Sequence, residues 1–293
     1  MSSELEQRLA AQALEIDALR TELEETNQGV LALYAELDTQ AQQLRQATEL
    51  KSRFLAYMSH EFRTPLASIR SLARLLLDRV DGPLTAEQEK QVQFIQTTSA
   101  EFAEMVNDLL DLAKVEAGRV EISAEWFELV DLFSALRGMF KPVLTNPDVL
   151  LVFDEPQQTL PLYTDDKKLS QILRNFISNA LKFTLKGEVR VSAVQNGEES
   201  ITFSVSDTGI GIDREHHPAI FRDFVQVDSP IQRRLRGTGL GLSLSRHLAE
   251  LLGGSVALDS ELGRGSVFSV TVPLQLQRSG QVVPERRAKN PRT

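Results

Sequence analysis

Apolar residues recur every seven positions through the first fifty of this chain. Leu9, Ile16, Leu23, Val30, Leu37 and Leu44 form one seam, and Leu5, Gln12, Leu19, Thr26, Leu33, Gln40 and Ala47 form its companion. This is the a and d pattern of a coiled coil, which has to be buried against a partner. Gln12, Thr26 and Gln40 lower stability but fix register and strand number, which predicts a parallel homodimer. The second seam runs on to Phe54 and the first to Met58, so the coiled coil is expected to pass unbroken into the next element and to leave His60 off the seam.

After Pro65 the apolar spacing resumes at Leu66, Ile69, Leu72, Ala73 and Leu76 and ends at Asp81-Gly82-Pro83. Proline removes one helical hydrogen bond and crowds the preceding turn, so a bend just beyond His60 is expected. Thr85, with Gln88 three residues on, forms a capping-box signature for a second helix. Its predicted core stripe is Val92, Ile95, Phe102, Val106, Leu109 and Ala113, with Gly118 placed to stop it. Two long helices joined by a Gly-Pro loop make an antiparallel hairpin, and two such hairpins close a dimeric four-helix bundle.

From about residue 125 the period changes. Helical spacing covers Leu129 to Leu144, Asp165 to Phe183 and Leu240 to Leu252. Strand-like runs cover Val149 to Phe153, Val189 to Val194, Ile201 to Val205, Ser255 to Leu258 and Ser266 to Val272, with Asn196-Gly197 as a hairpin turn. The expected fold is therefore a parallel coiled coil and a helical hairpin followed by an α+β domain with helices on one face of a mixed sheet. Domain boundaries are expected at 1–49, 50–119, 120–275 and 276–293, the last a disordered tail made locally basic by Arg278, Arg286, Arg287, Lys289 and Arg292.

Composition narrows the function classes. The chain has 293 residues, no cysteine and a formal charge of −9. Disulfides, thiolate metal sites and thiol nucleophiles are excluded, and nucleic acid is disfavoured as a partner. No uncharged apolar run approaches the roughly 20 residues of a membrane helix, and the polar start does not resemble a signal peptide, so a cytoplasmic protein without membrane insertion is expected.

Candidate chemistry lies at the polar exceptions to these patterns. Ser59-His60-Glu61-Phe62-Arg63-Thr64-Pro65-Leu66 sets an accessible histidine beside a carboxylate, a nucleophile with its own proton acceptor. Asn175 and Asn179 share one helix face with Lys182 following, and neutral amides ligate Mg2+ without adding charge beside a polyphosphate. Asp207 ends a strand at the turn Asp207-Thr208-Gly209-Ile210-Gly211-Ile212, where a buried carboxylate can accept from the amine of adenine. Gly237-Thr238-Gly239-Leu240-Gly241-Leu242 opens directly into a helix and offers backbone N–H groups to phosphate. Neither a Walker A lysine pattern nor a strand-first Rossmann fingerprint is present.

In this order and spacing the motifs resemble those of two-component sensor histidine kinases. Phe54 to Leu66 resembles the H box, Leu173 to Thr184 the N box, Asp207 to Ile212 the G1 box, Ile220 to Asp228 the F box and Gly237 to Leu242 the G2 box, while Gly263 to Phe268 is similar to the last strands. Tyr57 stands where asparagine is common, and Asp223 where proline is common. The resemblance implies a Bergerat-type ATP-binding fold with ATP and Mg2+. Asp207 would read adenine with Gly209, Gly211 and Ser266 beside it. Asn179 would ligate Mg2+, with Asn175 and Phe183 close by. Lys182, one of Arg233, Arg234 and Arg236, and the loop Gly237, Thr238, Gly239, Leu240 and Gly241 would face the phosphates. Residues 213–239 would form a lid anchored by Phe221 and Phe224.

By the same resemblance His60 would attack the γ-phosphate, Glu61 would accept the ring proton, and Thr64 would orient water for a later phosphatase reaction. The partners implied are a second copy of the chain, the receiver domain of a response regulator, and an upstream sensory protein acting through the coiled coil. A different function class is a dimeric ATP-driven switch or scaffold without histidine phosphorylation. Its chaperone-like members carry a catalytic glutamate at the first N-box position, where this chain has Asn175, and they lack His60-Glu61.

Overall fold

The computed structural model describes residues 2–142, 144, 146–154, 161–223, 225 and 238–277, with side chains described from residue 14 onward apart from 15, 18, 52, 56 and 59. Two units divide the chain, residues 1–54 and residues 55–293.

In the first unit every described residue belongs to helix α1, which spans Ser2–Leu77. Of the heptad seams, Ile16, Leu23, Val30, Leu37 and Leu44 are all exposed. So long an uncovered apolar stripe marks a surface that associates.

In the second unit the remainder of α1 pairs with α2 (Ala86–Glu116). The rings of Phe62 and Phe102 lie 5.8 Å apart, Arg63 donates to Asn107 Oδ1 at 3.0 Å, and Arg79 reaches Glu89 at 3.4 Å, so low numbers on one helix meet high numbers on the other. The expected capping box is present: Gln88 N–H donates to Thr85 Oγ1 at 3.3 Å and Thr85 N–H to Gln88 Oε1 at 2.9 Å. Two details depart from the spacing. Helix α1 ends at Leu77, four residues before Asp81, because Arg79 (φ 56°) and Gly82 (φ 124°) take left-handed backbone. Of the predicted α2 stripe, Val92, Val106 and Ala113 are buried, whereas Ile95 and Phe102 remain exposed. A two-helix hairpin covers one face of each helix only. Pro65 lies inside the continuous α1.

Beyond the hairpin, strand β1 (Glu125–Glu128) leads into α3 (Leu129–Phe140), which stops short of the expected Leu144. Then follow β2 (Val149–Phe153), β3 (Pro161–Thr164), α4 (Asp166–Phe183), β4 (Gly187–Asn196), β5 (Ser200–Asp207), a single 3₁₀ turn at Arg214–His216, α5 (Gly241–Leu251), β6 (Ser255–Glu261) and β7 (Gly265–Pro273). Five strands form a mixed sheet in the order β2-β4-β5-β7-β6, with β2 parallel to β4 and the other pairs antiparallel. The small antiparallel pair β1-β3 was not foreseen, and Trp126 stacks on Tyr163 across it at 5.3 Å.

Helices α3, α4 and α5 cover one face of this sheet. Alternation along β5 turns Ile201, Phe203 and Val205 inward against fully buried Phe176, Ile177 and Phe133. Each such large side chain contributes about 1.5–3 kcal/mol by leaving water. The same period carries the next inward position to Asp207, so a carboxylate falls in phase with the core at the end of the strand.

Candidate ATP-binding and phosphoacceptor sites

Asp207 is 9% exposed and is held by two backbone donors, Gly209 N–H to Oδ1 at 2.8 Å and the N–H of Ser266, its register partner on β7. Burial pushes its carboxyl above the usual range, against the pull of those two donors. An ionised carboxylate offers about four acceptor positions, so two donors leave it able to take another. The turn that follows is fixed by Gly211, whose φ is +67° and where an added Cβ would sit 2.0 Å from the carbonyl oxygen of Glu261. Only glycine lets the chain pass there. Ser260, which sequence reasoning missed, ties the turn to the sheet: it accepts from Ile212 N–H at 2.8 Å, contacts Ser266 Oγ at 2.9 Å and bonds Gly265 O at 3.0 Å. Its only signal is a serine at an inward position of β6.

Helix α4 connects this turn to the glycine loop. At its C-terminal end Phe183 O accepts from Ile210 N–H at 3.4 Å. Near its middle Asn175 Nδ2 donates to Ser245 Oγ on α5 at 2.8 Å, and Asn179 Nδ2 donates to Asn175 Oδ1 at 3.3 Å. Gly241 starts α5 directly over this group, where a Cβ would lie 2.4 Å from Asn175 Oδ1. The loop's last glycine is therefore required by close approach to the asparagine. Thr238 Oγ1 accepts from Leu240 N–H at 3.2 Å and shapes the entry to α5. Lys182 is half-buried, with Nζ 5.6 Å from the centre of the Phe183 ring. Burial brings its ammonium below the usual lysine range, opposed by Glu101 and Glu104 of α2.

The structure thus brings together Asn175, Asn179, Gly241 and Ser245 at one place, and Asp207, Gly209, Gly211 and Ser266 at another, with α4 between. Phe221 is half-buried against Phe268 at 6.5 Å. Phe224, Arg233, Arg234, Arg236 and Gly237 lie outside the described residues. Among those described, no group of three or more His, Cys, Asp or Glu is placed to hold a metal. Asn179 engages its nitrogen with Asn175 and not its oxygen, and an amide oxygen beside substrate phosphates fits a Mg2+ ligand.

The histidine stands apart from all this. His60 has 76% of its side chain exposed, with Nδ1 3.8 Å from Glu61 Oε1, too long for a hydrogen bond but facing it. Thr64 Oγ1 lies one turn on, donating to His60 O at 3.5 Å.

Comparison with known proteins places these two sites in one lineage. Residues 50–118 match the His Kinase A (phospho-acceptor) domain, and residues 164–276 match the histidine kinase-, DNA gyrase B-, and HSP90-like ATPase. The chain belongs to the two-component sensor histidine kinases. It is 36% identical over 253 residues to the autoinducer 2 sensor kinase/phosphatase LuxQ of Vibrio vulnificus, covering 84% of this chain and 29% of that protein. It is 38% identical over 232 residues to the circadian input-output histidine kinase CikA of Synechococcus elongatus, covering 78% and 31%. Among solved structures it is similar to full-length ShkA in complex with AMPPNP, with a TM-score of 0.61 and 33% identity over 75% of this chain and 45% of that one. This histidine kinase chain spans about a third of the length of those curated relatives. No helix among its described residues is long and apolar enough to cross a membrane.

Proposed function

We propose that the chain is an ATP-dependent protein-histidine kinase that phosphorylates His60 and passes the phosphoryl group to an aspartate in the receiver domain of a response regulator. One observation carries the reading: an exposed histidine facing its neighbouring carboxylate is joined, in one chain, to a domain with a buried Asp207 and a glycine loop packed on paired asparagines. In the reaction a ring nitrogen of neutral His60 attacks the γ-phosphorus, the N–P bond forms, and the bond to the bridging oxygen breaks with ADP as leaving group. With Nδ1 turned to Glu61, Nε2 is the nitrogen presented to phosphate, and Glu61 takes the Nδ1 proton as positive charge develops on the ring. General-base help of this kind supplies about 10²- to 10⁴-fold.

Asp207 holds the adenine amine, with Gly209, Gly211 and Ser266 shaping its turn. Lys182, the loop arginines and the loop from Gly237 to Gly241 meet the phosphates, beneath the lid of residues 213–239. Asn179, supported by Asn175, holds Mg2+, which when bound neutralises phosphate charge. Thr64 orients water when phosphate is removed from the regulator. Residues 1–49 act as the signalling coiled coil that an upstream sensory partner addresses, 50–119 as the dimeric phosphoacceptor bundle and 120–275 as the catalytic domain in the cytoplasm. The exposed seams of α1 and the exposed Ile95 and Phe102 supply the surface for a second copy.

With Mg-ATP the protein is expected to acquire acid-labile, base-stable phosphate. His60→Gln abolishes labelling and leaves binding of AMPPNP intact, whereas Asn179→Ala weakens both. Labelling that survives in His60→Gln overturns the assignment.

A further inference from the structure

Two buried stripes end beside the turn assigned to adenine. On α4, Phe176, Ala180 and Thr184 follow one another at spacings of four and are all buried, so the C-cap residue Thr184, 2% exposed, continues the face that packs on the sheet. On β5, the inward alternation of Phe203 and Val205 ends on Asp207. The two ends meet: Phe183 O, one residue before Thr184, accepts from Ile210 N–H at 3.4 Å, and a Cβ on Gly209 would lie 2.5 Å from that same oxygen. Each apolar stripe thus finishes on a single polar side chain at the same end of the domain. Asp207 has its two backbone donors. Thr184 donates its backbone N–H to Ala180 O at 3.0 Å, but its buried Oγ1 has no hydrogen-bond partner among the described residues. A buried hydroxyl left unpaired is costly, and valine would fill the same space without that cost. Native proteins rarely keep such a group without a use for it.

We propose that Thr184 is a base-reading residue whose hydroxyl donates to a ring nitrogen of adenine, N1 or N7, flanking the amine that Asp207 accepts. The proposal rests on the nucleotide reading above. Adenine shows an amine donor beside ring-nitrogen acceptors, and a carboxylate with a neighbouring hydroxyl offers the matching acceptor and donor. An ionised Asp207 can only accept, so the donor has to come from another group. The other hydroxyls around the turn are already engaged: Ser260 and Ser266 lie 2.9 Å apart, Ser260 also bonds Gly265 O, and Thr208 donates to Glu188 O at 3.4 Å. Thr184 Oγ1 is the one with its proton uncommitted. In a dry, apolar setting the bond it makes to the base is stronger than the same bond in water. The hydroxyl is therefore a burden on the empty domain that binding relieves, and its effects on stability and on affinity have opposite signs.

The test uses the full chain. In Thr184→Val, affinity for Mg-AMPPNP measured by calorimetry is expected to fall about tenfold, the loss of one buried hydrogen bond, while the thermal midpoint without nucleotide holds or rises. Thr184→Ser keeps the hydroxyl and is expected to bind within about threefold of the unaltered chain. Either 1-deaza-ATP or 7-deaza-ATP, in which one ring nitrogen becomes C–H, is expected to bind the unaltered chain about tenfold more weakly than ATP, and Thr184→Val no more weakly than ATP does. Unchanged affinity in Thr184→Val, or deaza penalties equal in the two chains, overturns the inference. A lower midpoint in Thr184→Val would show the hydroxyl paired inside the protein and overturns it too. An unaltered chain that binds no AMPPNP overturns the nucleotide reading itself, a separate result.

Discussion

The hairpin and the ATP-binding domain solve opposite problems with the same alternation of polar and apolar positions. His60 stands off the apolar phase of its helix, with 76% of its side chain in water and its acid neighbour 3.8 Å away. Asp207 stands on the apolar phase of its strand, 9% exposed and held by two backbone donors. A nucleophile that a second domain must reach is useless if buried. A carboxylate that reads one amine must be rigid and shielded from competing water, and burial gives it both. The difference teaches where to look: reactive groups out of phase on helices, and recognition groups in phase with the core at strand ends.

The strongest way to break this contrast is to disable the buried group alone. Asp207→Asn keeps shape and buries no new charge, but it replaces the acceptor proposed for adenine with an amide whose NH2 opposes the N–H groups of Gly209 and Ser266. Loss of a buried polar match of this kind is expected to weaken AMPPNP binding about a thousandfold. Circular dichroism should stay native and the thermal midpoint should fall little. A variant that binds AMPPNP within about threefold of the original would place adenine elsewhere.

Next in size is a change that breaks the domain without touching either site. Asp165 caps α4, accepting from Lys168 N–H at 3.0 Å and Lys168 Nζ at 2.8 Å, and from Ser123 N–H at 2.8 Å. Burial alone would raise its carboxyl, but these hydrogen bonds outweigh it and hold the group below the usual range. A depressed carboxylate adds stability above its unfolded value near 4 and loses it as pH falls through the lower folded value, so the domain becomes less stable on acidification. Asp165→Ala removes the cap and leaves half-buried Lys168 without this partner, costing about 3 kcal/mol. Urea unfolding followed through Trp126, the one tryptophan, reads the loss. A cost under about 1 kcal/mol would mean the cap is solvated.

How much of this was legible in the sequence depended on the length and regularity of each element. Helix α4 was legible because Leu169, Ile172, Leu173, Phe176, Ile177 and Ala180 repeat at helical spacing over 18 residues. Asp207 was legible because it continues the alternation of β5. Strands β1 and β3 were not, since four residues each give too short a pattern and Pro161 opens one of them. Helix α3 ended early at Phe140 despite apolar residues beyond it, because periodicity reports faces more reliably than ends. Ser245 and Ser260 looked like ordinary serines, and their value comes from partners 70 and 48 residues away in sequence. Asp108 was hidden for a related reason. A carboxylate row on a helix reads as a solvated face until the fold packs it on α4, where Asp111 Oδ2 accepts from Gln171 Nε2 at 3.1 Å and Asp108 is half-buried.

That hidden carboxylate gives the smallest effect and the sharpest link between the two regions. Burial first, then Glu104 and Asp111 of its own helix, push the Asp108 carboxyl up to about 7 while α2 is docked on α4, with Thr238 of the glycine loop and Arg174 of α4 pulling the other way. Free of the contact it should return towards the ordinary carboxylate value near 4, so docking takes up a proton. The sign follows: docking is favoured on the acid side, weakens as pH rises towards 7 and changes no further well above it. If docking competes with nucleotide, affinity for Mg-AMPPNP should rise between pH 6 and pH 8 by at most about tenfold from this group. The nucleotide's own phosphate also titrates, so the informative quantity is the ratio between the original chain and Asp108→Asn at each pH. The variant, permanently neutral at that position like the protonated carboxyl, should match the original at pH 6 and bind more weakly than it at pH 8. Parallel pH profiles would show that the hairpin's acidic face and the nucleotide site act independently.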